Sequence, residues 1–277
     1  METKAKPKLD PYADIRKVSL QGTDGTSSSA VAIQTDTGKN GKGKWKEVGV
    51  VRDDYHLISN AEVLDIAQDI MSESPIEWQV SKEFYDGKRY GLYAKSVDRT
   101  YTVDSKAGDD VALGLHFLNS YDGSTALKAG IHLERLICSN GMVSNHNLSS
   151  VRITHSKASS KWEEDVMKIL GLVDNQAGVE SMIQSFAGMQ DTVLDDPLLR
   201  QIRREVIPTI PTGTWGKIYD NFSNEHQDDT TSMWDFYNSC TNVLWHNPTQ
   251  TKADFSNNAL ITDRLIEFTN KHLVEVQ

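Results

Sequence analysis

Two Asp-Gly dipeptides, each set between runs that alternate apolar and polar residues, constrain this chain more than any other feature. "IEWQVSKEFYDGKRYGLYAKSV" turns around Asp86-Gly87, and "DVALGLHFLNSYDGSTALKAGIHLERLIC" turns around Asp122-Gly123. Period-two alternation marks a strand with one buried face, and Asp-Gly accepts the positive φ of a type I′ hairpin turn. Val111, Leu113, Leu115 and Phe117 share one face of their strand, and Leu127, Ala129, Ile131 and Leu133 share one face of the return. Together with "SSAVAIQT", "WKEVGVVR" and the shorter "LSSVRITH", the two hairpins predict a sequential antiparallel meander.

A helix packs on it. In "ISNAEVLDIAQDIMSES", Ser59 and Glu62 have capping-box spacing, and Val63, Ile66, Ala67, Ile70 and Met71 recur on one side. After His155 the period becomes helical. "SSKWEEDVMKILGL" carries a second capping box, Ser160 to Glu163, and further helices are expected at 176–190, 196–206, 214–223, 232–246 and 258–274. The expected class is α+β: an antiparallel β-meander with a packed helix, followed by an acidic α-helical region. The expected organisation is a flexible N-terminal arm over 1–26, sheet plus helix over 27–157, and the helical region over 158–277.

The composition narrows the setting. No apolar run approaches the ~20 residues of a membrane span, and "METKAKPKLDPYADIRK" lacks the apolar stretch of a secretion signal, so a cytoplasmic protein without membrane attachment is expected. Cys138 and Cys240 are the only cysteines, too few for a disulfide scaffold. The net charge of −10, taken whole, argues against a polyanion partner. Its distribution argues the other way. Met1–Trp162 holds 21 Lys and Arg against 21 Asp and Glu, while Glu163–Gln277 holds 8 against 18. No acidic residue follows Arg135 before Glu163, and "TGKNGKGKWK" gathers Lys39, Lys42, Lys44 and Lys46.

"RLICSNGMVSNHN" is the stretch where catalytic chemistry could sit. Cys138 has His132, His146 and His155 near in sequence, yet it continues the apolar run "LERLIC" and reads as a packed thiol. The spacings among His132, Cys138, His146 and His155 lack the short pairings that pre-orient two metal ligands. Asp109-Asp110 and Asp195-Asp196 are adjacent pairs whose side chains diverge, and they read as solvated carboxylates near element ends. The Gly/Lys stretch has neither Walker nor dinucleotide spacing. Asn140-Gly141 reads as a turn glycine with its usual neighbour. No catalytic residue, metal or cofactor is expected.

"RLICSNGM" and "MWDFYNSCTNVLWHNP" together resemble the phage/plasmid-like proteins grouped as domain-of-unknown-function family 932. The matching elements are Arg135, Cys138 and Asn140 in Arg-x-x-Cys-x-Asn; Asn119, Ser120, Asp122, Gly123 and Ser124 in "NSYDGS"; and Trp234, Asn238 and Thr241 in Trp-x-x-x-Asn-x-x-Thr. The resemblance runs from about residue 50 to 265 and implies a virus or plasmid setting, with no established activity attached. Helix, hairpin meander, then helix is also similar in layout to single-strand annealing recombinases.

The expected function is non-enzymatic binding of single-stranded nucleic acid in phage or plasmid replication and recombination. Cations would track the backbone and rings would stack on bases. The candidate residues are Lys42, Lys44, Trp45 and Lys46; Lys88, Arg89 and Tyr90 on the first hairpin; and Arg135, Arg152, Lys157 and Lys161 in the acid-free stretch, with Trp162 beside it. A homo-oligomer joined through sheet edges is expected alongside. Two other classes stay open: an oligomeric interaction protein without nucleic-acid affinity, and an enzyme of unrecognised type.

Overall fold

The computed structural model of the chain describes residues 9–38, 43–103, 109–136, 141–142, 150–153, 155, 168, 171, 176–225, 231–246 and 252–276. Lys39, Lys42, Cys138, Asn140, His146, Lys157, Lys161, Trp162 and the capping box at Ser160 lie outside these residues. The chain divides into two compact units, the first of residues 1–94, 115–130 and 151–170, the second of 95–114, 131–150 and 171–277. This corrects the expected boundary near 157. Three long strands, Arg89–Thr102, Asp110–Ser120 and Leu127–Arg135, each give one part to one unit and the rest to the other.

Unit 1 opens with a three-stranded antiparallel sheet: β1 (Ile15–Gln21), β2 (Ser27–Asp36) and β3 (Trp45–Arg52). The presence of β1 corrects the expectation of an arm over 1–26. Its Arg16 and Lys17 gave the segment the look of a solvated tail, but exposed Lys and Arg are also what blunts an edge strand. Tyr12 anchors the residues before it. Its hydroxyl donates to the Glu83 carboxylate and lies 3.0 Å from the Tyr90 hydroxyl, which itself donates to Glu83 Oε1 at 3.0 Å. Burial, then that carboxylate, pushes the Tyr12 phenol up to about 12.

Register decides which face each side chain takes. Between Ile33↔Gly49 and Gln34↔Glu47 the ladder slips, leaving Val48 as a bulge that joins Val31, Ile33 and Tyr121 in the core. Cross-strand partners share a face, so Arg16, Gln34 and Glu47 lie together, with Asp36↔Trp45, Ala32↔Val50 and Ala30↔Arg52 on that same side. Lys46 pairs with buried Thr35 and takes the other side.

α1 (Asn60–Glu73) forms as its sequence dictates. Ser59 Oγ accepts from Glu62 N at 3.0 Å, Glu62 Oε2 accepts from Ser59 N at 2.6 Å, and Val63, Ala67 and Ile70 are buried. A second sheet follows: β4 (Trp78–Tyr85), β5 (Arg89–Thr102), β6 (Asp110–Ser120), β7 (Leu127–Arg135), β8 (Gly141–Met142) and β9 (Ser150–Ile153), ordered β4-β5-β6-β7-β8 with β9 also on β7. The links over 86–88, 103–109 and 121–126 are too short for a crossover, so β4 to β7 form the expected antiparallel meander. Its central strands differ from expectation: β6 and β7 are buried at almost every position, so both their faces are covered. The turns differ too. The first is a three-residue loop with Gly87 at φ 97°, held by Asp86 Oδ1 accepting from Lys88 N and Arg89 N; the second spans six residues. Neither is the two-residue type I′ turn.

Unit 2 gathers α2 (Gln176–Asp191), α3 (Asp196–Gln201, running on as a π-turn over Ile202–Val206), α4 (Thr212–Glu225), α5 (Met233–Trp245) and α6 (Lys252–Val276). α5 is buried on nearly every side, the signature of a central helix. Phe186, Trp234 and Tyr237 form a ring cluster with centroids 5.0–5.7 Å apart. The π-turn carbonyls are satisfied by arginines, Arg203 Nη1 donating to Ile207 O at 3.0 Å and Arg264 Nη1 to Val206 O at 2.9 Å. The protein is thus α+β, with an antiparallel meander and a C-terminal set of helices. Among the described residues no helix is long and apolar enough to cross a membrane.

Candidate nucleic-acid interface

Cation placement separates the two units. Unit 1 holds 18 Lys and Arg against 19 Asp and Glu; unit 2 holds 11 against 20. Within unit 1, β3 carries a mixed stripe on the face away from its core. The Arg16 guanidinium lies over the Trp45 ring, 4.0 Å from the centroid, and is fixed there by Nε and Nη2 donating to Gln34 Oε1 at 3.1 and 2.9 Å. Val50, half exposed, follows along the strand, and Arg52, 83% exposed, ends it.

At the Arg52 end lies a cavity of about 630 Å³. Ala30, Val50, Val51 and Ala126 give it aliphatic wall, Tyr55 and His155 aromatic wall, and Arg52 and Arg152 its cations, with Asp54 and Asp122 on the lining. The Tyr55 and His155 rings stack at 4.6 Å and 18°. Tyr55 is fixed by its hydroxyl donating to Ser120 O at 2.7 Å. His155 is fixed by Nδ1 lying 3.0 Å from His56 O, while His56 N donates to His155 O at 3.1 Å. Burial holds the His155 imidazole below its ordinary value, against the pull of that carbonyl, so Nδ1–H donates from a neutral ring. Arg52 lies 3.4 Å from Asp54 in an exposed, weak pair, and among the described residues Arg152 has no carboxylate partner.

The sequence candidates scatter against this geometry. Lys44 and Lys46 are exposed and Trp45 half-buried, but Trp45 and Lys46 point to opposite faces, so the Lys-Trp-Lys run is not one patch. Lys44 closes its hairpin, its carbonyl accepting from Thr37 N and Oγ1. Lys88 is exposed. Arg89 donates through Nε to Asp86 Oδ2 at 2.9 Å and pairs with it again through Nη2, which makes it a hairpin brace. Tyr90 is corrected outright: it is 2% exposed and has no ring face for a base. Arg135 is corrected as well, because its guanidinium clasps buried Asp109, whose other oxygen accepts from Trp234 Nε1 at 2.7 Å. Asp109 is therefore no solvated carboxylate. Arg16, Arg52, Tyr55 and His155 were not among the candidates. The signal for the first two was available: both sit where an alternating run places a cation on a strand's open face.

The family-like elements prove to be hydrogen-bonding devices. Asn119 Nδ2 donates to Ile58 O and Asn60 Oδ1, Ser120 Oγ exchanges bonds with Thr125, and Asp122 Oδ1 accepts from Ser124 N. Trp234 meets Asp109, Asn238 Nδ2 donates to Trp234 O, and Thr241 Oγ1 donates to Asn238 O. Gly141 lies in β8 paired with Glu134, and its φ is not positive. Its lack of a side chain instead admits the Trp245 ring, since a Cβ there would lie 2.3–2.4 Å from three ring atoms. This corrects the reading of Gly141 as a turn glycine. Among the described residues no three His, Cys, Asp or Glu side chains are grouped to hold a metal ion.

Fold and site together define an α+β protein with an antiparallel meander and a cationic, part-aromatic pocket in its less acidic unit. The family profile described as "Domain of unknown function (DUF932)" matches residues 47–265, about four-fifths of the chain, and the chain belongs to that family. Neither the curated proteins nor the solved structures contain a match.

Proposed function

We propose that unit 1 binds single-stranded nucleic acid without catalysing its chemistry, along the outer face of β3. The observation that carries this reading is the stripe from the Arg16–Trp45 stack through Val50 to Arg52, ending at a pocket that adds Arg152. Guanidinium and indole planes accept bases of any sequence, and free cations neutralise phosphates. Lys44 and Lys46 extend the positive field at the Trp45 end. The phage or plasmid setting belongs to this proposal, as does a homo-oligomer. Edge strand β4, with Val80 49% exposed, is the surface on which a second copy would pair.

Fluorescence titration of labelled oligo(dT) over a range of salt concentrations is the test. Binding should weaken with salt at a slope of about −0.7 per phosphate neutralised. Lys44→Gln with Lys46→Gln should flatten that slope, and Trp45→Ala should cost about 1–3 kcal/mol, the size of one stacked base. No binding at micromolar protein, or binding indifferent to all these changes, sinks the proposal.

A further inference from the structure

We infer that the pocket at the end of β3 holds a single nucleotide, its phosphate on Arg52 and Arg152 and its base against the Tyr55–His155 and valine walls. The inference deepens the reading of unit 1 as a nucleic-acid binder and rests on it for the rest of the strand. Four features of the cavity converge on this ligand class. A volume near 630 Å³ suits a molecule of nucleotide size. Two exposed guanidiniums offer the planar fork that phosphate oxygens accept, and one of them, Arg152, has no competing carboxylate among the described residues. Aliphatic and aromatic walls suit a flat heterocycle, and they are rigid: Tyr55 is tied to Ser120 O, His155 to His56 O. The Asp122 carboxylate can only accept hydrogen bonds, which suits the exocyclic amine of a base or a sugar hydroxyl and rejects a bare polyphosphate. A purely apolar ligand would strand both arginines, and a simple anion would leave the walls unused.

Calorimetric titration of the full chain with dCMP, deoxycytidine and inorganic phosphate tests it. dCMP should bind, and either half alone should bind at least about tenfold more weakly. Arg152→Gln and Arg52→Gln should each weaken dCMP at least about tenfold, Arg152→Lys less, and replacement of exposed Lys217 in unit 2 by Gln not at all. Asp54→Asn frees Arg52 and removes a rim charge, so it should tighten dCMP; a gain of affinity cannot come from misfolding. Thermal melts of the arginine variants establish that they fold. Absence of dCMP binding at millimolar ligand, or binding indifferent to Arg52, Arg152 and Asp54 together, overturns the pocket assignment. The two readings fail separately: oligo(dT) binding without dCMP binding removes the pocket alone, and dCMP binding without oligo(dT) binding removes the strand-binding proposal and leaves a nucleotide site.

Discussion

Arg135 and Gly141 stand six residues apart in one quoted stretch, and both turned out to be about packing. The Arg135–Asp109 pair is largely buried, so Arg135→Gln should cost about 3 kcal/mol in urea unfolding, because among the described residues it leaves the Asp109 charge with the Trp234 N–H alone. The same variant should bind oligo(dT) as the parent does, once both are folded; a selective loss of binding would return Arg135 to the interface. Gly141→Ala should cost about 1–3 kcal/mol by forcing the Trp245 ring away, and Trp245→Leu in the same chain should recover part of it. Additive losses would show that ring and glycine do not meet. His155 supplies a pH dependence. Its imidazole titrates lower in the fold than its ordinary 6.5, chiefly through burial, so the folded protein binds fewer protons than the unfolded chain in that window. Stability is therefore full above 6.5 and declines as pH falls from 6.5 towards the folded value. Urea midpoints at about pH 7.5 and about pH 5.5 should differ more in the parent than in His155→Gln.

At the scale of elements, sequence was a good guide wherever a local rule sufficed. β3 and α1 follow from alternation and a capping box, and four of the helices follow from period 3.6 within two residues at either end. α6 begins earlier than expected because its first turns are polar and carry no apolar periodicity. What stayed illegible depends on partners far along the chain. "IRKVSLQ" alternates only weakly, and the one local pointer to its ladder with β2 is the Asp24-Gly25 turn, where Gly25 has φ 80°. Nothing near Asp109 announces burial until Trp234 arrives from 125 residues away. The pocket is the extreme case, since its lining runs from Ser29 to His155. α5 permits one prediction of its own. Cys240 is fully buried and burial pushes its thiol far up, so the thiolate is absent at neutral pH. Mass spectrometry after iodoacetamide treatment should find the Cys240 peptide unmodified in native protein and alkylated in urea. Native alkylation would mean that α5 opens readily.

For the molecule as a whole, charge and chain path matter more than any one contact. Unit 2 holds nine more negative than positive side chains, which opposes the approach of a polyanion at long range. Replacing exposed Glu180, Asp191 and Asp220 by their amides should therefore speed oligo(dT) association at low salt and leave it unchanged at high salt. An equal effect at both would point to direct contact instead.

The interleaving of the two units also has a consequence in time. A ribosome delivers residues 1–94 first, and these already contain the three-stranded sheet and α1. Residues 95–114 and 131–150 emerge next with Val111, Leu113 and Leu133, all fully buried in the finished protein, while α2 to α6 of their own unit lie beyond them, over 176–276. For the interval needed to synthesise α2 to α6, the nascent chain displays strands whose covering helices are not yet made. Truncated products ending before α5 should accordingly be bound by chaperones or lost to aggregation, so expression depends on translation running through α5 and α6.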